Sequence, residues 1–377
     1  MTTFPSSSHR GASLHTISHT LASWFPTPTL IFPRSAGIDI SDSSIKWLVL
    51  GRGGSGYRVE AYGEELLPAG IVVNGNIENV EALGQILKEV KKRLHGIECA
   101  HTALPEEAAY VFEMHVPEGT SREEILHMIE FEFEGRVPIA PAAAVFDFDH
   151  IERDDGEISV VVFPRELANC YVAAFNVAGF KLLSLEVEAR SIARAVSSRN
   201  REEPMALLVD FGRARTGFAV LKRGVPIFTS TVEVGGEAIT RALTEKLSLS
   251  PADAILFKNE HGLLPSDATK LGVEAITGVA SALADEIARH YRYWDTRRNE
   301  AGNQEARARV ERVILVGGSS NLAGLTDYIA GRVHAPTVYG DVWQNVCNFD
   351  EYIPPIPERT SLQYATSIGL ALRSFGV

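Results

Sequence analysis

From residue 36 onward the chain alternates between two hydrophobic rhythms. Short runs that are apolar throughout or at every second position predict strands; stretches with apolar residues three and four apart predict helices. Residues 37–40 and 45–50 read as strands joined by the turn Ser41-Asp42-Ser43-Ser44, with a third strand over 57–66. Residues 79–94 then place Val80, Leu83, Ile86, Leu87 and Val90 on one helical face. Lys88, Lys91, Lys92 and Arg93 gather toward that helix's C-terminal end, where its dipole favours cations. A small unit over about 103–155 follows: a strand at 110–116, a helix opened by Ser121 with Glu124 three residues on, a stop at Val137-Pro138, and a strand at 145–151. The α/β rhythm returns with strands at 158–163 and 181–187 and helices at 165–178 and 188–198. After the polar stretch 199–204 the opening pattern recurs: a strand over 206–210 ending in Asp, a Gly-containing turn over 211–215, then strands over 216–222 and 224–232. Helices near 236–247 and 273–298, a strand at 312–316, a Pro-rich loop over 345–358 and a last helix over 361–373 complete the chain. An Asp-ended strand, a small turn and a second strand, met twice, predict a duplicated α/β fold. Its lobes span 36–200 and 201–360, with residues 361–377 returning to the first.

Residues 1–35 break the pattern. They hold no Asp or Glu, thirteen Ser or Thr and four prolines, so a disordered leader is expected. The alternative is a short amphipathic piece, Leu14, Ile17, Leu21, Trp24 and Phe25, that docks on a partner or a membrane surface. Composition excludes little else. With 45% hydrophobic residues among 377, the chain can build real cores, and a net charge of −12 argues against broad nucleic-acid binding. The longest apolar runs are strand-sized, far short of the ~20 residues that span a bilayer. Cys99, Cys170 and Cys347 are few and scattered, which suits a reducing compartment and makes no disulfide framework.

Three segments carry chemistry. In Gly37-Ile-Asp39-Ile-Ser41-Asp42-Ser43-Ser44-Ile-Lys46 a tight turn exposes backbone N–H groups and hydroxyls to a polyphosphate. Asp39 at the strand end is placed to hold a hydrated Mg²⁺, and Lys46 to point back at phosphate. In Asp210-Phe-Gly212-Arg-Ala-Arg-Thr216 an Asp again ends a buried strand, Gly212 permits close approach and Thr216 offers a hydroxyl. In Val313-Ile-Leu-Val316-Gly317-Gly318-Ser319-Ser320 a buried strand runs into a flat Gly-Gly surface against which a base or ribose can lie. Either turn alone is an ordinary hairpin; two at the starts of two halves are a stronger sign. Neither the dinucleotide G-x-G-x-x-G nor the P-loop pattern is present in these segments.

Together these segments resemble the actin-like ATPase superfamily and, within it, the PilM family of type IV pilus assembly proteins, to which FtsA is related. The resemblance runs from about residue 36 to 373. It is carried by GIDISDSSIKWLVL, LEVEARSIARA, VDFGRARTGFAVL, VEVGGEAITRAL, the Gly-Gly segment and the inserted unit with Pro117, Glu123, Glu124 and Val137-Pro138. It implies ATP and Mg²⁺ between two lobes, with Asp39 and Asp210 flanking the metal through water. Ser41, Ser43, Lys46, Gly212 and Thr216 would lie at the phosphates and Gly317 and Gly318 on adenosine. Glu188 would orient attacking water in an ATPase that turns over slowly at most. It implies a cytoplasmic scaffold, peripheral at the inner membrane, that binds the cytoplasmic N-terminal tail of an inner-membrane PilN-like protein beside the inserted unit and forms a homo-oligomer in some settings. Nucleotide would bias lobe orientation and so partner binding. Two departures stand out: Asp42 puts a carboxylate into the first phosphate turn, and Ala254-Ile255-Leu-Phe-Lys258 lacks the ribose-binding Glu of an Ala-Glu-x-x-Lys helix. The competing readings are a metabolite or sugar kinase on the same fold and an FtsA-like division filament. Taken by position alone, Glu188 is equally well an ion-pair partner for Arg194.

Overall fold

The computed structural model describes residues 33–54, 56–152, 156–198, 203–300 and 309–376. Apart from its last three residues, the expected leader lies outside the described residues, as does most of the polar stretch at 199–204. Ser35, placed at the leader's end, already belongs to the first strand.

The first lobe opens with β1 (Ser35–Ile40), β2 (Ser44–Gly53) and β3 (Gly56–Leu66), an antiparallel meander. Two-residue strands β4 (Val72–Val73) and β5 (Asn76–Ile77) make a small hairpin before α1 (Val80–Arg93), whose N-cap Asn79 accepts from the Ala82 N–H. Next come β6 (Cys99–Leu104), then the inserted β7 (Tyr110–His115), α2 (Arg122–Arg136), β8 (Ala144–Glu152) and β9 (Glu157–Pro164). The lobe closes with α3 (Arg165–Ala178), β10 (Lys181–Val187) and α4 (Glu188–Val196). The main sheet has the order β10-β6-β1-β2-β3, with β6 parallel to both β1 and β10. β6 has no counterpart in the periodicity reading. Its Cys-Ala-His-Thr-Ala-Leu sequence is buried throughout: Thr102 donates to the Ile38 carbonyl and His101 Nδ1 pairs with the Ser184 hydroxyl, while His101 Nε2 is buried without a hydrogen-bond partner.

The second lobe repeats the plan. β11 (Met205–Phe211), β12 (Thr216–Lys222) and β13 (Val225–Val232) form a meander; α5 (Gly236–Leu247), α6 (Pro251–His261) and α7 (Lys270–Glu300) follow, then β14 (Val310–Val316), α8 (Leu325–Val333) and β15 (Thr337–Tyr339). The sheet order β13-β12-β11-β14-β15, with β14 parallel to β11 and β15, is the first lobe's order again. A one-turn helix α9 (Glu358–Ser361) leads into α10 (Ala365–Leu372).

The unbroken apolar run of β11 is explained by burial on both faces. Leu207, Val209 and Phe211 enter the second lobe's outer core, while Ala206 and Leu208 face a third core between the lobes. That central core also takes Leu48 from β2, Ile192 from α4, Val316 from β14 and Ile368 from α10. α4 and α10 cross there, and Gly369 lets them meet: a Cβ on it would strike the Ser191 backbone. The Ser35 and Ser374 hydroxyls bond 2.5 Å apart, tying the first strand to the end of the chain.

The inserted unit is a three-stranded sheet, order β7-β9-β8, under α2, which buries Ile125, Ile129 and Phe133 at four-residue spacing. Ser121 and Glu124 form the expected capping box. The stretch 158–163, read above as the return of the α/β rhythm, is instead β9, the central strand of this small sheet. Periodicity marks a buried strand without saying which sheet it joins. The unit also touches the second lobe: Ser159 donates to the Pro226 carbonyl at 2.5 Å, and Lys222 pairs with Glu157 at 2.5 Å.

Candidate functional site

The carboxyl ends of the parallel strands converge on one cleft between the lobes. β1 delivers Asp39, β6 runs into Pro105-Glu106-Glu107, β10 into Glu188, β11 into Asp210 and β14 into Gly317. In open α/β sheets such strand ends are where ligands bind. The cleft encloses a cavity of about 310 Å³, within the range of small-molecule sites.

Its floor is short of positive charge. Cross-strand register sets Asp39 opposite Lys46, and Lys46 opposite Glu64, so the Lys46 ammonium lies between two carboxylates, 3.3 Å from Glu64, and donates to Ser44 Oγ at 2.8 Å. Burial raises the Asp39 pKa despite Lys46. Burial, then the Asp39 charge, pushes Asp210 up to about 6. Glu106 and Glu188 are raised well above the usual carboxylate range, first by burial and then by the neighbouring carboxylates. These two also brace each other. A Glu106 carboxylate oxygen accepts from the Ala189 N–H at the start of α4, and the Glu188 carboxylate accepts from the Glu106 N–H.

An acid whose folded pKa is raised favours the fold while it is protonated, and that benefit is lost as pH rises through the folded value. For Asp210 the window runs from its ordinary 3.8 to about 6. The Asp210→Asn protein, free of nucleotide, is therefore expected to be more stable than the parent by about 1–3 kcal/mol at pH 7. The advantage should shrink toward pH 4.5 in urea unfolding series; a gap independent of pH would mean that Asp210 is fully solvated.

Asp39, Ser41, Ser43, Lys46, Glu188, Asp210, Gly212, Gly317 and Gly318 all line the cleft. Thr216 does not: its hydroxyl is buried and donates to the Val234 carbonyl at 2.5 Å, pinning the β12 entry, so the expected phosphate contact is corrected. Ser41 faces the cavity, but its hydroxyl is engaged within the turn, donating to the Ser44 carbonyl and accepting from the Ser44 N–H. The ion-pair reading of Glu188 also falls, because Arg194 is bound by Glu186 at 2.5 Å. Gly317 adopts φ +88° with its N–H bonded to the Leu362 carbonyl; a Cβ there would collide with Asp210 and Phe211.

Among the cleft residues that were not site candidates from sequence are Glu106, Glu107, Arg215 and Lys258. The first two follow β6, and that strand's position beside β1 was the signal that would have found them. Ile255, at the place of the absent ribose-binding Glu, is exposed, whereas Lys258 lines the cleft near Gly236 and Ser319. Burial, then Arg213, lowers the Lys258 pKa. Asp42 is held in place: it accepts from the Asn74 and Gly75 N–H groups at 3.2 and 3.0 Å and pairs with Arg215 at 2.6 Å.

Comparison with known proteins agrees with this fold. A family model described as type IV pilus assembly protein PilM matches residues 37–375. A solved PilM–PilN type IV pilus biogenesis complex is 21% identical, with a TM-score of 0.74 over 91% of this chain and 99% of that one. The ethanolamine utilization protein EutJ from Carboxydothermus hydrogenoformans is 18% identical with a TM-score of 0.54, over 92% of this chain and 91% of its own. MreB5 of Spiroplasma citri bound to AMPPNP is 12% identical with a TM-score of 0.51, over 89% and 94% respectively. The shared architecture is the two-lobed actin-like ATPase fold. Among the described residues no helix is long and apolar enough to cross a membrane.

Proposed function

This chain belongs to the PilM family of type IV pilus assembly proteins, and on that premise we propose that it is a cytoplasmic scaffold that holds Mg-ATP between its lobes and binds the cytoplasmic tail of an inner-membrane PilN-like protein. The observation that carries the nucleotide reading is the pair Asp39 and Asp210, two raised carboxyls facing one lysine at the ends of matching strands. A hydrated Mg²⁺ would supply the missing positive charge. The residues fit it: Asp39 and Asp210 would hold the ion through water, Lys46 the phosphates, and Gly317, Gly318 and Lys258 the nucleoside end. When bound, the ion would screen phosphate charge. Burial, then the Asp39, Glu106 and Asp210 charges, raise the Glu188 pKa well above the usual carboxylate range, so a bound cation would favour its ionised form.

For the partner, the first lobe offers a groove of about 360 Å³ between β8, an edge strand of the small sheet, and β10, an edge strand of the main one. Apolar side chains line it (Val145, Val161, Phe163, Val172), with Arg190 and Arg373 at polar positions. An extended tail can add to the β8 edge and seat alternate side chains in the groove. The chain's part in pilus assembly would then be to read nucleotide state in one cleft and present it to a membrane partner at another.

The test is calorimetric titration with a synthetic PilN-like tail and separately with Mg-ATP. Val172→Asp, on the exposed side of α3, is expected to weaken the peptide about tenfold or more while leaving Mg-ATP affinity unchanged. Parent protein that takes up neither ligand at high micromolar concentration would overturn the reading. So would equal peptide affinity in parent and variant, for the groove.

A further inference from the structure

The two phosphate turns are tied together by a single side chain. Arg215 closes the second-lobe turn, and its guanidinium pairs with Asp42 of the first-lobe turn at 2.6 Å and with Glu107 at the end of β6. All three side chains are mostly buried, about 22% exposed, and all line the nucleotide-sized cavity. Both ends of the tie are anchored. The Arg215 carbonyl accepts from the Gly212 N–H, and the carbonyls of Gly212 and Arg213 accept from the Gly236 and Glu237 N–H groups of α5. Asp42 is fixed by the Asn74-Gly75 turn between β4 and β5. Only the guanidinium itself is free to change partner without unmaking a turn.

We propose that Arg215 is a phosphate ligand held in reserve: Asp42 and Glu107 occupy its guanidinium across the cleft mouth, and an entering polyphosphate must draw it away, releasing one lobe from the other. The inference rests on the nucleotide reading above and gives that reading its coupling to lobe orientation. The chemistry is an exchange of like partners. A guanidinium presents a planar fork that suits a carboxylate and a phosphate equally well, so one replaces the other without loss of hydrogen-bond number. While the tie is made, Asp42 and Glu107 set two negative charges against one positive charge where phosphate would lie. That opposes entry until Arg215 turns. Adenosine, with no phosphate, has no means of breaking the tie; ATP and inorganic tripolyphosphate do. Asp42, at first sight a defect in a phosphate turn, becomes the residue that makes phosphate occupancy and this tie between the two turns mutually exclusive.

The test is a double-mutant cycle on the full chain, read by calorimetry with Mg-ATP, Mg-tripolyphosphate and adenosine. Asp42→Asn with Glu107→Gln keeps one of the two Asp42 oxygens that accept from the Asn74-Gly75 turn and is expected to tighten ATP and tripolyphosphate about tenfold, leaving adenosine unchanged. On an Arg215→Gln background the same pair should change ATP affinity less than twofold, since the gain comes from freeing the guanidinium. A gain that persists without Arg215 would be plain relief of charge repulsion and would overturn the proposal, as would no gain at all. Interlobe distance is read by spin labels on Lys88→Cys and Lys246→Cys, both exposed, after removal of Cys170 and Cys347. Without nucleotide, the Asp42→Asn/Glu107→Gln protein should show the broader distribution that ATP produces in the parent. Parent protein that binds no ATP would defeat the nucleotide reading and the reserve-ligand role together. The label distances would then decide separately whether Arg215 restrains the lobes, an unchanged distribution refuting that too.

Discussion

Glu186→Ala is expected to destabilise the fold by about 3–5 kcal/mol, the largest stability loss of any single substitution argued here. Glu186 is the last acidic residue of β10, and its carboxylate accepts from both Arg194 terminal nitrogens, at 2.5 and 2.7 Å, and from Arg373. The Glu186 and Arg194 side chains are each 6% exposed. Arg194 also donates to the Gly369 carbonyl of α10 at 3.0 Å. One cluster therefore joins β10, α4 and the end of the chain. Burial alone would raise the Glu186 pKa; Arg194 and Arg373 outweigh it and hold the group below its usual range. Truncating Glu186 leaves a buried guanidinium without its counter-charge, which costs more than the intact pair contributes. Glu186→Gln keeps one acceptor and should lose less. Because the folded pKa is depressed, the stabilisation is present above the ordinary carboxylate pKa and lost as pH falls through the folded value. Urea midpoints at pH 7 and near pH 3 check both statements: a deficit under 1 kcal/mol at pH 7 would show that water reaches Arg194.

Asp210→Ala is expected to weaken Mg-ATP by about a hundredfold, roughly 2.7 kcal/mol of binding free energy. The same change should leave the nucleotide-free protein at least as stable as the parent, since it removes a carboxyl whose ionisation the buried cleft resists. This opposition of signs identifies a binding residue better than either effect alone. A structural aspartate would lose stability when truncated; a site aspartate is retained at a cost in stability. Calorimetric titration of folded variant measures the first effect and urea unfolding the second. Unchanged ATP affinity in a folded variant would remove Asp210 from the site.

Much of this was legible in the chain because the second lobe repeats the first. The Asp39 and Asp210 turns, the capped helix at Ser121 and the Gly317-Gly318 segment all lie where local pattern set them. The losses have particular causes. β6 escaped because His101 and Thr102 interrupt its apolar run, and the partners of the Thr102 hydroxyl and of His101 Nδ1 lie on β1 and β10, distant in sequence. With β6 went Glu106 and Glu107, whose importance comes from the strand order. Thr216 looked like a phosphate ligand because a hydroxyl beside an Asp-ended turn invites that reading; its actual partner, the Val234 carbonyl, lies beyond β13. Arg215 carried no local signal, since what gives it a role is Asp42, in the other lobe.

The crossing of α4 and α10 has a consequence for synthesis. β1 is made near the start of the described chain, yet the helix that covers its inner face, α10, spans Ala365–Leu372. During translation the first lobe's main sheet is complete once β10 emerges, but the part of its face that α10 covers stays open until residues 365–372 have left the ribosome. The Ser35–Ser374 contact, 339 residues apart, can close only after that. Such a lobe carries a long-lived exposed apolar face, the kind of intermediate that aggregates or recruits chaperones. A ribosome stalled before residue 365 would hold a first lobe that is built but unsealed, and premature termination there should yield insoluble protein rather than a stable half.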